Sequence, residues 1–339
     1  MHTNRHTATW SLCLFLLWSA QAQTPAPPPA RVVQGTTQLT GAEGALGKTF
    51  TVGKGSEAIN FTLTSAEFSV TRVTIGEHVY VPKASEKLLI LHYTVHNPQK
   101  VDRAYAWNTL KFTVVDAFNA NHVHDNYVGQ GGTTNVLDLM LKPAQKVQAY
   151  AVMSVPASGP IPKLIVSTQD AQGVVRYDLR GQVKALPAPF ADPKDAARVS
   201  ALEAVPMSAG AYAPLGLFDV KLDALAYADT VKGERLAEGE RALMATFTVR
   251  NGTASTASPQ AWAWNTFKIQ LRDADGDVTA YDDYLLKVAR DETAEGVLKP
   301  GEEARFRVYF TLPAGVKPVS LQVTEGDSRT AVYDASQVK

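Results

Sequence analysis

Residues 106–127 read AWNTLKFTVVDAFNANHVHDNY, and residues 263–284 read AWNTFKIQLRDADGDVTAYDDY. In each copy apolar residues alternate (Leu110, Phe112 and Val114 in the first), which predicts a half-buried strand. A tight turn rich in Asp, Asn and Gly follows, then a second strand. Trp264 lies 157 positions after Trp107, and the same offset relates Tyr284 to Tyr127, Pro300 to Pro143, Pro313 to Pro156 and Phe218 to Phe61. The strand before the tryptophan keeps an offset of 154, pairing Glu240 with Glu86, Val249 with Val95 and Asn251 with Asn97. Small changes in loop length absorb the difference. Two copies are too few for a solenoid, and a unit this long can bury a core alone.

Working outward, the strand signal repeats. Leu89, Leu91, Tyr93 and Val95 fall on one face of a strand, with Ile90, His92, Thr94 and His96 on the other. Short alternating runs recur between turn signals such as Lys142-Pro143 and Lys299-Pro300-Gly301, without helical periodicity. The fold class expected is all-β, two tandem antiparallel β-sandwiches spanning 46–181 and 210–339. Residues 182–209 read as a linker. There Asp192-Pro193 predicts an N-cap with proline at the first helical position, opening a short helix that runs to about Glu203.

Upstream, residues 1–22 read as a secretory signal: Arg5, the apolar run Trp10–Trp18, and Ala20-Gln21-Ala22 as cleavage site. The run is too short to span a bilayer well. Cys13, the one cysteine, lies inside it, so cleavage would leave no thiol for disulfides, zinc–thiolate sites or nucleophilic catalysis. Residues 23–45 form a Pro-rich spacer. Lys plus Arg and Asp plus Glu both number 33, with no basic stripe, which argues against nucleic-acid partners.

Each repeat resembles a bacterial family of unknown function found in secreted antigens and lipoproteins. The resemblance rests on Val249-Arg250-Asn251, Asn265-Thr266-Phe267, Asp273-Ala274-Asp275-Gly276, Pro300-Gly301-Glu302 and Phe310-Thr311-Leu312-Pro313. The first repeat carries Val95-His96-Asn97 and Asn108-Thr109-Leu110, but has Pro143-Ala144-Gln145 at the Pro-Gly-Glu turn. The resemblance implies that the two tandem antiparallel β-sandwiches are immunoglobulin-like (telokin-like), with an extracytoplasmic location and no general enzymatic activity; cell-envelope or surface proteins are the partners expected.

Standard catalytic signatures (G-x-S-x-G, H-E-x-x-H) are missing. Gly47-Lys48-Thr49 lacks the first glycine of a phosphate loop, since Ala42 stands there. Asp273–Asp277 reads better as a hairpin turn than as a calcium loop. The tryptophans Trp107, Trp262 and Trp264 are expected in core or sheet packing.

Histidine distinguishes the repeats. Beyond the signal, His78, His92, His96, His122 and His124 all fall in the first repeat; their counterparts include Thr246, Arg250, Thr279 and Tyr281. His122 and His124, two apart on a strand, share a face about 6–7 Å apart at Cα. With one of His92, His96 or His78, and Asp125 as an outer partner, they could hold copper, or less readily zinc. His-x-His on such a sandwich is similar to the copper site of copper–zinc superoxide dismutases, and Arg103 could then steer an anion. The competing expectations are therefore an envelope binding protein with a copper site in the first domain and an adhesion or assembly role for the second, a copper-dependent superoxide dismutase, and a metal-free structural protein with surface histidines.

Overall fold

The structure, a computed structural model, describes residues 41–124, 126–282 and 284–338. The expected signal, Cys13, most of the spacer, Asp125 and Asp283 lie outside the described residues. Regular structure among the described residues is strand, apart from one 3-10 turn at Gly55–Glu57. No helix there is long and apolar enough to cross a membrane.

The protein is all-β and consists of two sandwiches. In the first, one sheet runs in the order Gly41–Gly44, Val174–Asp178, Lys163–Ser167, Lys111–Val115, Asn121–Val123. The facing sheet runs Val128–Gln130, Lys146–Pro156, Glu86–His96, Ile59–Ser69, Val183–Lys184, with Thr49–Val52 also on Ile59–Ser69. The second sandwich repeats this plan. One sheet orders Ala204–Met207, Thr330–Asp334, Pro318–Glu325, Phe267–Asp273 and Val278–Ala280. The other orders Tyr212–Pro214, Phe218–Ala228, Glu240–Asn251, Glu303–Pro313 and Leu286–Lys287. Inner strands of up to 12 residues are thus flanked by outermost strands of two to four. Alternation builds each core: Leu89, Leu91, Tyr93 and Val95 pack inward with Phe61, Phe112 and Tyr177, and Phe247, Phe267, Phe306 and Tyr333 do so in the second. Burial of such side chains supplies roughly 1.5–3 kcal/mol each.

The repeated motifs are loop ties. Asn97 and Asn251 are fully buried; their Nδ2 atoms donate to Leu141 and Leu298 carbonyls at 2.9 Å, and their Oδ1 atoms accept the Gln99 and Thr253 amides. The Pro-Gly-Glu turn needs a left-handed residue: Gly301 has φ 82°, and its amide donates to the Asn251 carbonyl. Ala144 holds the matching place at φ 61°, with its amide on the Asn97 carbonyl.

Two expectations are corrected. The offset of 157 pairs Phe61 with Phe218, but Phe61 sits opposite Val95 whereas Val220 sits opposite Val249, so Phe61 corresponds to Val220. Bulges at Leu63/Ser65 and Leu222/Ala224 fall at the same place in that alignment. The helix expected after Asp192 does not form. The Asp195 carboxylate instead accepts the amides of Ala197, Val199 and Ser200, folding the segment into successive turns between the bridged residues Ala191 and Ala201. Asx-type bonding of this kind competes with helix formation.

The sandwiches meet end to end. Arg72 of the first donates to the carbonyls of Leu215, Gly216 and Phe218 and to Asp219, at 2.7–2.8 Å. In return Arg329 donates to the Leu202, Lys83 and Glu86 carbonyls. Gly252 permits the approach, since a Cβ there would lie 1.8 Å from an Arg72 nitrogen. Nearby, the fully buried Lys87 ammonium donates to Ala157, Gly159 and Val199 carbonyls and lies 4.4 Å from the Phe68 ring centroid.

Candidate functional site

The two AWNT segments fold into the same turn. The Ala106 amide donates to Thr109 Oγ1 at 2.9 Å and the Thr109 amide returns to the Ala106 carbonyl. Ala263 and Thr266 repeat both bonds. A turn locked by a threonine side chain interrupts the strand alternation. Tyr105 and Trp262 therefore sit in the cores, while the tryptophans two positions later are turned out. Trp107 is 44 % exposed and Trp264 52 %; Tyr127 and Tyr284 are 40 % and 51 % exposed. This corrects the expectation of three packed tryptophans: only Trp262 is buried. The hairpins that follow also match. Asp116 Oδ1 accepts the Phe118 and Ala120 amides, and Asp273 Oδ1 those of Asp275 and Asp277. The left-handed place is held by Asn119 (φ 64°) in one and Gly276 (φ 90°) in the other, two residue types that tolerate it.

The five histidines fall in different places. His92 and His96 lie on the outward face of the sheet whose inner face carries Leu91, Tyr93 and Val95. His122 and His124 belong to the opposite sheet, His122 beside Val114 and His124 bonded through its amide to Phe112. A whole sheet separates these pairs, and packed sheets stand about 10 Å apart. His78 lies on the Val73–Ile75/His78–Tyr80 hairpin, its ring against Tyr80 and Tyr127. Among the described residues no three His, Cys, Asp or Glu side chains gather as a metal site.

Most of these rings are occupied through hydrogen bonds. His92 Nε2 donates to Glu67 Oε1 (3.0 Å), His122 Nε2 to Asp116 Oδ2 (2.9 Å) and His124 Nε2 to the Tyr127 carbonyl (3.1 Å). A nitrogen that carries the donated proton has no lone pair for a metal. His96 Nδ1 instead accepts from Asn60 Nδ2 at 2.9 Å. It stands where the second sandwich places Arg250 on Asp219. The His122 hydrogen bond holds the buried Asp116 carboxyl below the usual carboxylate range. At Glu67 burial pushes the carboxyl up, but the bonds from His92 and Lys184 prevail and leave it lowered. Arg103, the expected anion-steering cation, is bonded to the Ser56 carbonyl and to Glu57.

Arg103 belongs instead to a groove that motif reading missed. It is lined by Glu57, Gln99, Asp102, Asn108, Gln169 and Asp170, among others, and encloses about 670 Å³. That is the size range of ligand sites. Its walls come from three stretches far apart in sequence, 56–57, 99–109 and 168–170, so local spacing carries no signal of it.

No family profile matches the chain, and no curated protein matches it. Among solved structures, it is similar to an uncharacterized β-sandwich protein of Clostridium difficile 630, at 13 % identity and TM-score 0.32, over 42 % of this chain and 97 % of that one. It is also similar to MPT63, a secreted protein from Mycobacterium tuberculosis, at 18 % identity and TM-score 0.29, over 38 % and 96 %.

Proposed function

We propose that the chain is an extracytoplasmic binding protein of the cell envelope, two tandem immunoglobulin-like sandwiches acting in adhesion or assembly through surface aromatics. One observation carries this: both repeats expose a tryptophan from the same threonine-locked turn. The turn would close equally well around a smaller residue, so folding gives no reason to keep the indole twice. Exposed Trp and Tyr are the side chains that dominate binding surfaces. The clamps at Arg72 and Arg329 hold the two faces in one relation, which favours simultaneous engagement of a surface. A secretory signal in residues 1–22 accords with that setting. The copper-binding first domain and the copper-dependent dismutase draw no support from the histidine geometry.

The test is retention of the purified protein on isolated envelope fractions, with Trp107→Ala, Trp264→Ala and the double variant alongside. Each single substitution should weaken retention and the double variant should lose it. Unchanged retention of the double variant sinks the proposal.

A further inference from the structure

Given the binding role proposed above, on which this rests, we infer that the groove around Arg103 is a saccharide site for uncharged glycans. The groove occupies the end of the first sandwich that corresponds to the docked end of the second. In the second sandwich that end receives Arg72 through Leu215–Asp219, Thr74 at Ala254 and Ala84 at Asp327. In the first sandwich the seat for another sandwich is not reproduced. Eight residues join the matched pair Thr51/Asn60, whereas four join Pro214/Asp219. The added length forms the turn Gly55–Glu57, which walls the groove. Asn60 replaces the Asp219 carboxylate, and Pro98 stands where Gly252 admits the guanidinium. The end is thus freed from sandwich docking and rebuilt as a polar concavity.

Its chemistry interleaves acceptors and donors, as a polyhydroxylated ligand requires. Gln99 and Gln169 each commit Nε2 to a backbone carbonyl, Gly55 and Asn108, both at 2.9 Å. Each amide plane is thereby fixed with its Oε1 left as an acceptor. Asp102 Oδ2 accepts from Lys142 Nζ, and Asp170 Oδ1 accepts from the Thr168 hydroxyl and the Gln172 amide, which leaves the other oxygen of each carboxylate to take a hydroxyl proton. Arg103 supplies the donor: its side chain, 9 % exposed, is held by the Ser56 carbonyl and Glu57, and each Nη atom carries a second proton to donate. Trp107, 44 % exposed, precedes Asn108 and Thr109 in the turn that forms one wall. Sugar rings present hydroxyls at the edge, which suits polar walls of this kind. Three lining carboxylates outnumber the Arg103 guanidinium and the Lys142 ammonium that bonds Asp102, which disfavours acidic glycans.

The test uses the full chain on an array of neutral, amino-sugar and uronic-acid oligosaccharides and of arginine-containing peptides, with calorimetric titration of any glycan bound. Binding of neutral oligosaccharides is expected, weakened at least tenfold by Asp102→Asn/Asp170→Asn and by Gln169→Ala at unchanged unfolding midpoint, and untouched by Trp264→Ala. Failure to bind any neutral oligosaccharide, preference for acidic glycans or for the peptides, or binding that survives the groove substitutions overturns the inference. Because Trp264 lies on the other sandwich, lost envelope retention in Trp264→Ala with a silent array sinks the groove alone. A positive array with unchanged retention in the double tryptophan variant sinks the aromatic proposal alone.

Discussion

The carboxylate of Asp219 holds the guanidinium of Arg72 at 2.7 Å across the junction of the two sandwiches, with both side chains at most 10 % exposed. Arg250 approaches the other oxygen of the same carboxylate at 2.8 Å. Replacing Arg72 by methionine strands the Leu215 and Gly216 carbonyls, while Phe218 keeps the Leu215 amide and Asp219 stays paired to Arg250. The expected cost is about 3 kcal/mol, typical of breaking a buried pair. The sandwiches should also lose mutual support, so that scanning calorimetry of Arg72→Met shows two transitions in place of one. A single transition at the wild-type temperature would mean that the clamp contributes nothing.

Trp262 and Trp264 lie two residues apart and should respond oppositely to truncation. Trp262→Ala opens a cavity beside Phe306, whose ring centroid is 5.7 Å away, and should cost about 3–5 kcal/mol. Trp264→Ala should change stability by less than about 1 kcal/mol. Urea unfolding of the two variants decides, and equal losses would show that Trp264 is packed after all.

Ala144 stands in the left-handed conformation that Gly301 adopts in the second repeat. An L-residue there carries a steric cost of about 1–2 kcal/mol that glycine avoids, partly offset by glycine's greater unfolded-state entropy. Ala144→Gly should therefore stabilise the protein by about 0.5–1 kcal/mol, read as a raised urea midpoint. The converse change, Gly301→Ala, should lower it.

Burial pushes the Lys87 ammonium down to about 8. The unfolded chain keeps that proton up to its ordinary value near 10.5. Between those values the unfolded state binds more protons, so this residue makes stability rise with pH across the window and withholds it fully below. Its neighbours Asp195 and Arg329 act in opposite directions on the same group. Lys87→Met should abolish the rise while costing about 1–3 kcal/mol at pH 7 for the carbonyls left unbonded. Chemical unfolding of both proteins from pH 7 to 10 checks the slope, and parallel curves would refute the assignment.

For the histidines, elemental analysis after copper loading and dialysis is decisive. The donor bonds of His92, His122 and His124 lead to the expectation that substoichiometric copper is retained, and that His122→Ala/His124→Ala changes it little. Near-stoichiometric copper lost in that variant would restore the metal site.

The strand–turn–strand segments, the Val-x-Asn ties and the Pro-Gly-Glu turn were legible because each is local: alternation, an Asx bond or a left-handed φ shows in a few adjacent residues. Trp107 was misread because a residue shared by two copies reports a shared constraint without saying whether that constraint is burial. The period-two rule placed His92 with His96 on one strand face. Which sheet each pair joins depends on pairing across dozens of residues, and there the local pattern is silent. The charge of Arg103 is plain in the sequence, yet its surroundings come from Ser56, Gln99 and Gln169, which no spacing rule connects.

The disparity between long inner and short outer strands has a further consequence. The outermost strands Val128–Gln130, Val183–Lys184, Tyr212–Pro214 and Leu286–Lys287 run two or three residues, and one of them ends in proline. Such margins offer too few free amides and carbonyls in a row to template an added strand. These edges are thereby shielded from lateral β-augmentation and from sheet-to-sheet aggregation. Whatever it recognises must be met at the loops.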